Sequence, residues 1–578
     1  MTPTISSTGV RAHLAGSGRF RRIRLSAAAL LCAALLGACH TPYQRPDLQL
    51  PARWAHGAKA ADPAGGATDA RIVQHTLQDR WWAAFGDAQL NELVELALAR
   101  NNDLRAAGWR LRNARLAAGN AWGKRLPTLN ASGSASASRD LKQDASGPVG
   151  GTTDTDWQRR YSASVGINWE LDLWGKLAGQ HRAADWEAAA TWQDRQATAQ
   201  ALVANVLGTY WRLAVAEQKW RTQQDSLLRA QKTLQLAQVQ YEAGAISGLD
   251  LAQARQTLAR QQAAAEQIAQ QRSELQHALA ILFDLPPGHL DQMDQWPALR
   301  EAARQPQLPP LAAMPAVAAG VPADVLGRRP DLQAAELRLR ATLAQGDAVR
   351  ASYLPGFSLT SSMGSASTVL KNVLSHPTLS LGLGVALPFL NVGEMQRNLQ
   401  TSRNNYELAV IHFRQTLHKA LAEVENALSA RQHLQQQWQY QQQAHAQAKR
   451  AEQLTAVRYR AGAISLKHWL DAQEALRNAA LAEQEANLAR LQNHVALVQA
   501  LGGSPVLPDV ASSPAAADAD ALNGGKPERG AANANAKAAT VAPVQPAQAP
   551  APMPATSAAG PAVLAAAAPS PSASGAAR

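Results

Sequence analysis

Tyr161-Ser-Ala-Ser-Val-Gly-Ile-Asn-Trp-Glu-Leu-Asp172 alternates without a break. Tyr161, Ala163, Val165, Ile167, Trp169 and Leu171 share one face; Ser162, Ser164, Gly166, Asn168, Glu170 and Asp172 share the other. Alternation of this length predicts a β-strand with one apolar and one wet face. Farther along, Leu379, Leu381, Leu383, Val385, Leu387 and Phe389 repeat the pattern in phase. Two weaker strands are predicted ahead of these, at Leu129 to Ser138 and Phe357 to Gly364. They follow Leu126-Pro127 and Leu354-Pro355, where proline ends a helix. The Gly/Ser/Asp/Thr-rich stretch Gln143 to Thr155 predicts an exposed loop.

The two strong strands belong to a longer repeat. An offset of 218 residues lays Tyr161-Ser-Ala-Ser-Val-Gly166 on Leu379-Ser-Leu-Gly-Leu-Gly384, and Gly175 on Gly393. The same offset lays Tyr241-Glu-Ala-Gly-Ala-Ile-Ser247 on Tyr459-Arg-Ala-Gly-Ala-Ile-Ser465. Upstream the offset becomes 228, with Asp103-Leu-Arg-Ala-Ala107 on Asp331-Leu-Gln-Ala-Ala335, so the first copy has the longer loop. A period this long is no solenoid unit. It is a duplicated half-protein, and each half is expected to build the same structure.

In a soluble protein such strands form half of a sandwich. Here two hairpins stand alone among helical sequence, each strand roughly 10–12 residues, about what a tilted membrane strand requires. Four strands cannot close a barrel, and an open edge in lipid leaves backbone groups unpaired. The chain is therefore expected to oligomerise. The smallest closed barrels have about eight strands, and three copies would give about twelve with a wet lumen. Glu170 and Asp172 are then expected to face that lumen.

No proline interrupts the chain from about Lys176 to Gln240 or from Glu394 to Arg458. Such helices are rods on the order of 100 Å. Each ends at Ala-Gly-Ala-Ile-Ser, a glycine stop suited to a left-handed cap. Each is answered by a second helical run, about Asp250 to Phe283 and His468 to Leu501. A plain periplasmic coiled-coil stalk is the competing reading, and the membrane-type strands count against it. The fold class is thus an α+β membrane protein. Its segments are a signal peptide (1–38), a lipidated N-terminal segment (39–80), a first repeat (81–285), a Pro/Ala-rich connector (286–325), a second repeat (326–503) and an Ala/Pro-rich tail (504–578). The tail has too few large apolar residues to offset its ordering entropy and is expected to be disordered.

Arg11, Arg19, Arg21, Arg22 and Arg24 precede an apolar run, Leu25 to Leu36, too short to span a bilayer, which marks a secretory signal. Leu36-Gly-Ala-Cys39 resembles the bacterial lipobox, in which the cysteine is acylated and becomes the first mature residue. His40 stands where an aspartate would favour inner-membrane retention, so the outer membrane is expected. Cys32 leaves with the signal, and no disulfide framework remains. Five of the positive charges behind the net +12 leave with it too, and the rest are interspersed along helices; nucleic-acid binding is not expected. His412 and His418 are six apart, the wrong spacing for one helical face, so no metal site is expected there. No Ser/His/Asp arrangement, phosphate loop or HExxH supports catalysis. The covalent lipid on Cys39 is the one non-protein group expected.

Several motifs in order resemble the TolC-like outer-membrane factors, in the lipoprotein branch that serves multidrug and metal efflux. They are Pro42-Tyr43-Gln44-Arg45-Pro46, Trp81-Trp82-Ala-Ala-Phe85-Gly86-Asp87 with Leu90 and Leu93, Asn102-Asp103-Leu104, and Trp169-Glu170-Leu171-Asp172-Leu173-Trp174-Gly175-Lys176. The most specific is Val321-Pro322-Ala-Asp324-Val-Leu-Gly-Arg328-Arg329-Pro330-Asp331-Leu332. The resemblance spans nearly all of residues 36–503.

The resemblance implies a homotrimer whose four strands per copy make a twelve-stranded outer-membrane barrel above a periplasmic α-barrel. It implies a passive conduit for small molecules, not an enzyme. Its partners would be a periplasmic adaptor and an inner-membrane pump, of the proton-driven RND type. An exit duct for a protein-secreting ABC exporter and a structural lipoprotein are the alternatives. The turns holding Gly244, Ser247, Gly462 and Ser465 map to the helical tip where the adaptor docks. Tyr459 matches a tyrosine that holds the pore shut. Two acidic positions follow it in the family; Asp471 matches the second, and His468 replaces the first. Asp250 and Gln253 hold the equivalent places in the first half. Three histidines one turn from three aspartates would make closure pH-sensitive near neutrality.

Overall fold

A computed structural model describes residues 41–47, 50–56, 80–139, 157–288, 297–309, 317, 322–505 and 507. Cys39, the signal segment, the loop at 140–156 and nearly all of the tail lie outside the described residues.

Two helices lead in: α1 (Ala88–Arg100) and α2 (Asn102–Gly123). Asp87 caps α1 by accepting from Leu90 N–H, and Asn101 caps α2 by accepting from Leu104 N–H. Strands β1 (Thr128–Ser138) and β2 (Gln158–Leu171) follow, then the long helix α3 (Lys176–Glu242) and its shorter partner α4 (Gly248–Leu282). The connector contains a short helix, α5 (Pro297–Arg304), where composition alone suggested none. After the four-residue α6 (Val325–Arg328) the order returns: α7 (Pro330–Ala351), β3 (Gly356–Ser367), β4 (Thr378–Ala386), long α8 (Val392–Arg460) and shorter α9 (Leu466–Ala500). Pro330 opens α7 at a position where its missing N–H costs nothing.

At 67 and 69 residues, α3 and α8 are each about 100 Å long. The α3 helix packs against α7, α4, α2 and α9, and α9 packs in turn on α8. The main core crosses these helices near mid-length. It joins Trp81, Trp82 and Phe85 with Leu90 and Leu93 of α1, Val203 to Trp211 of α3, Phe283, and Leu491 to Leu501 around the end of α9. A smaller, separate cluster sits where the paired helices turn. Among the described residues no helix is long and apolar enough to cross a membrane.

The four strands form one antiparallel sheet in the order β1-β2-β3-β4. The β2–β3 pairing joins the two halves, with Val165 opposite Met363 and Trp169 opposite Leu359. Strand β4 stops at Ala386, short of the predicted Phe389. Pro388 has no N–H for the ladder, and Pro388–Leu390 turns into a 3-10 helix instead.

Candidate functional site

The sheet sorts its side chains by face. Directly opposed residues in an antiparallel pair point the same way. Leu129, Val165, Ile167, Leu359, Met363, Leu379, Leu381, Leu383 and Val385 therefore share one face, and all are among the exposed large hydrophobics. The other face carries hydroxyls that meet across the strands. Ser132 and Ser164 lie 2.8 Å apart, Ser134 and Ser162 2.7 Å, and Ser362 and Ser380 2.6 Å. Both outer strands, β1 and β4, keep an unpaired edge in the single chain.

Glu170 and Asp172 lie at the foot of this sheet, and both carboxylates are engaged. Lys176 Nζ donates to Glu170 at 2.6 Å. Asp172 falls just past the end of β2, and its oxygens accept from the N–H groups of Leu177 (3.0 Å) and Ala178 (2.7 Å). It thus holds the first turn of α3, where free N–H groups favour an anion.

At the far ends of the long helices the two turns share one geometry. Gly244 (φ +70°) and Gly462 (φ +74°) take the left-handed conformation that glycine tolerates best. Ala245 N–H reaches Gln240 O and Gly244 N–H reaches Tyr241 O; Ala463 and Gly462 repeat this with Arg458 and Tyr459. Both are Schellman stops. Ser247 then starts α4 with a reciprocal capping box to Asp250. In the second turn Ser465 Oγ meets His468 Nδ1 at 3.0 Å and caps no backbone N–H. Asp471 is bonded to Lys467 at 2.6 Å, an exposed pair one turn long. Within the chain His468 and Asp471 are each engaged with another residue.

Tyr459 lies between the two halves. Its hydroxyl donates to Gln240 Oε1 at 2.7 Å, and its ring stacks on Trp469 with centroids 5.0 Å apart. Trp469 was not singled out in the sequence, because only the turn brings it over Tyr459. Burial, and then the nearby charge of Asp250, pushes the Tyr459 hydroxyl pKa up, so it remains a donor. The residue is buried among Leu466, Leu470, Leu251 and Ala456.

The mid-length core holds one histidine that sequence reasoning passed over. His494 is 3% exposed and packs edge-on against Phe85 at 5.4 Å. Burial, helped by Arg431, pushes its pKa down to about 4. The unfolded chain therefore takes up this proton near the ordinary value of about 6.5, before the folded chain does. The stability it contributes is full above that value and falls away as pH drops through the window to about 4, a loss of about 3 kcal/mol. Thermal unfolding between pH 7 and 4 should show this loss, and His494→Gln should flatten the slope.

The sequence pattern of the outer membrane efflux protein family matches residues 93–283 and 321–503. The chain belongs to this family. It is 32% identical to the pyoverdine export outer membrane protein OpmQ of Pseudomonas putida, over 77% of this chain and 92% of that one. It is 29% identical to the cation efflux system protein CusC of Escherichia coli, over 81% of this chain and 96% of that one. A crystal structure of CusC, 26% identical, covers 80% of this chain and 99% of its own with a TM-score of 0.65. Efflux proteins of this family are outer-membrane channel components rather than enzymes, and so is this chain.

In this efflux protein the Val-Pro-x-Asp run has a structural role. Arg329 is buried and its guanidinium reaches Asp331 at 3.0 and 2.7 Å, Glu423 at 2.7 Å and the carbonyl of Ala500 at 3.2 Å. Burial pulls its pKa down, but the two carboxylates outweigh that and hold it above the ordinary value. It pins α7, α8 and the end of α9 together. Gly502 lies so close to Arg328 that a Cβ there would sit 2.8 Å from the backbone.

The segment just past Cys39 is also fixed. Thr41 gives Asp347 two hydrogen bonds, at 3.0 Å from its N–H and 2.7 Å from its hydroxyl. Arg45 pairs with Glu336 at 2.6 Å, and Arg340 lies 4.5 Å over the Tyr43 ring. Burial pushes the Glu336 carboxyl up, yet the hydrogen bonds from Arg45 and Arg340 hold it below the usual carboxylate range. The Pro42 to Pro46 motif is a strap on α7, the helix that leads into β3.

Proposed function

We propose that three copies of this chain close a twelve-stranded barrel in the outer membrane and pass small molecules out through it. One observation carries the reading: a four-stranded sheet with two free edges and an exposed apolar face, set where the two helices about 100 Å long, α3 and α8, begin. Joining β4 of one copy to β1 of the next pairs every edge and leaves the apolar face to lipid. The serine face then lines the lumen, with Glu170 beside it, and Asp172 ties the barrel to α3. Cys39 carries the lipid anchor, two residues ahead of the Thr41 clamp.

The turns at Gly244, Ser247, Gly462 and Ser465 form the periplasmic tip, where an adaptor protein docks and hands over cargo from an inner-membrane pump of the RND type. Energy comes from the pump. Pyoverdine export and cation efflux among the relatives favour small solutes over proteins as the cargo. Tyr459, His468 and Asp471 form the gate. The Tyr459–Gln240 hydrogen bond ties the two helical hairpins of one copy at the tip, and removing it costs about 1 kcal/mol per copy. Tyr459→Phe is therefore expected to raise the open fraction of single channels in planar bilayers by about fivefold or more. An unchanged open fraction would take Tyr459 out of the gate. His468 stands at the tip one turn from Asp471, and His468→Asn should flatten the conductance–pH profile; an identical profile would remove His468 as a sensor.

A further inference from the structure

Among the described residues, the second half of the chain contains a buried arginine with no acid bonded to it, where the first half has one. Between α3 and α4, Arg272 lies over the Trp220 ring, 5.2 Å from its centroid, and pairs with Glu217 at 2.8 Å. The 218-residue offset maps these three residues onto Arg490, Trp438 and Gln435. Arg490 lies over the Trp438 ring even more closely, at 4.1 Å. In place of a carboxylate it meets the neutral Gln435 Oε1 at 2.9 Å and Asn487 Oδ1 at 3.3 Å.

Arg490 is 6% exposed, and its Nε, like that of Arg272, is buried with no hydrogen-bond partner among the described residues, so the carboxylate is what sets the two sites apart. Burial alone pushes its pKa down, with no carboxylate opposing it. His494, one turn on, is buried with Nδ1 likewise unpartnered, and Arg431 is close enough to act on it. From Ala486 to Ala500 helix α9 contains no acidic residue. A buried cation without a counter-charge is strongly unfavourable. The Trp438 ring offsets part of that, but Trp220 does the same for Arg272, where Glu217 is also present. Helix α9 packs against α8 and α3 of its own chain, and among the described residues the side chains bonded to Arg490 are the neutral Gln435 and Asn487.

We propose that Arg490, with Trp438 and Gln435, binds a small anion, a halide or a carboxylate, in the charge role that Glu217 fills in the first half. The anion accepts from Nη hydrogens that Gln435 and Asn487 leave unused, as Glu217 accepts from Nη2 of Arg272. Its binding locks α8 to α9 as Glu217 locks α3 to α4.

The test uses full-length protein, solubilised in detergent at pH 7 and fixed ionic strength, with bulky isethionate replaced by chloride or by acetate. The wild-type Tm is expected to rise by about 2–4 °C and saturate with one of the two; the one that saturates at lower concentration tells a halide site from a carboxylate site. Gln435→Glu supplies the charge internally, so it should raise Tm in isethionate and abolish the response. Glu217→Gln should do the converse, lowering Tm and adding a second anion response. A wild-type Tm indifferent to both anions, or a response undiminished in Gln435→Glu, overturns the proposal. If Gln435→Glu does not accumulate, the wild-type titration and Glu217→Gln decide it.

Discussion

Replacing Leu381 by arginine is expected to prevent the protein from accumulating as a stable trimer in the outer membrane. Leu381 is 75% exposed, stands at the middle of β4 and faces the same way as Leu379, Leu383 and Val385. A lipid-facing arginine near the bilayer midplane costs about 2–4 kcal/mol. A three-fold barrel incurs that cost in each copy, so the total is comparable with the whole stability of an ordinary fold. Ser380 is its neighbour on the opposite face, hydroxyl to hydroxyl with Ser362. Ser380→Arg puts the same charge into a wet lumen and should be tolerated. The amount of heat-resistant trimer in outer-membrane fractions separates the two variants. Equal loss, or equal tolerance, would mean that the apolar face does not meet lipid.

The second large effect concerns Arg329. Removing both of its acids, as Asp331→Asn with Glu423→Gln, leaves a buried guanidinium without a counter-charge and should cost about 3–5 kcal/mol. Arg329→Met should cost less, because Asp331 and Glu423 are each roughly two-fifths exposed and water can serve them when the arginine is gone. Thermal unfolding of the solubilised protein gives the order directly. If Arg329→Met is the more damaging change, the guanidinium acts through shape and the Ala500 carbonyl rather than through charge.

How much of this was readable beforehand depends on the range of the interaction. The strands and rods follow from local pattern, and their predicted limits fall within a few residues of those observed. The Ala-Gly-Ala-Ile-Ser stops were readable because a left-handed cap is a local demand on one glycine. Even β4 could have been ended at Ala386 by giving Pro388 its due. The helix α5 was hidden because its eight residues sit inside an Ala/Pro-rich connector whose average composition argues for none. The pairings that build the site are a different matter. Tyr459 meets Gln240 across 219 positions, and Arg329 meets Glu423 and Ala500 from two other helices. No periodicity encodes such contacts. Alternation places Asp172 on the wet face but does not show that its carboxylate also holds the free N-terminal turn of α3. The contrast between Arg272 and Arg490 needs both sources: the repeat to align them, and the fold to show that Gln435 and Asn487 meet Arg490 where Glu217 meets Arg272.

In the proposed barrel each chain supplies a third of the strands. The most direct test is the native mass of full-length protein extracted from the outer membrane. Three copies in a single particle is the expected result. A monomeric particle would leave β1 and β4 unpaired in lipid and contradict the barrel.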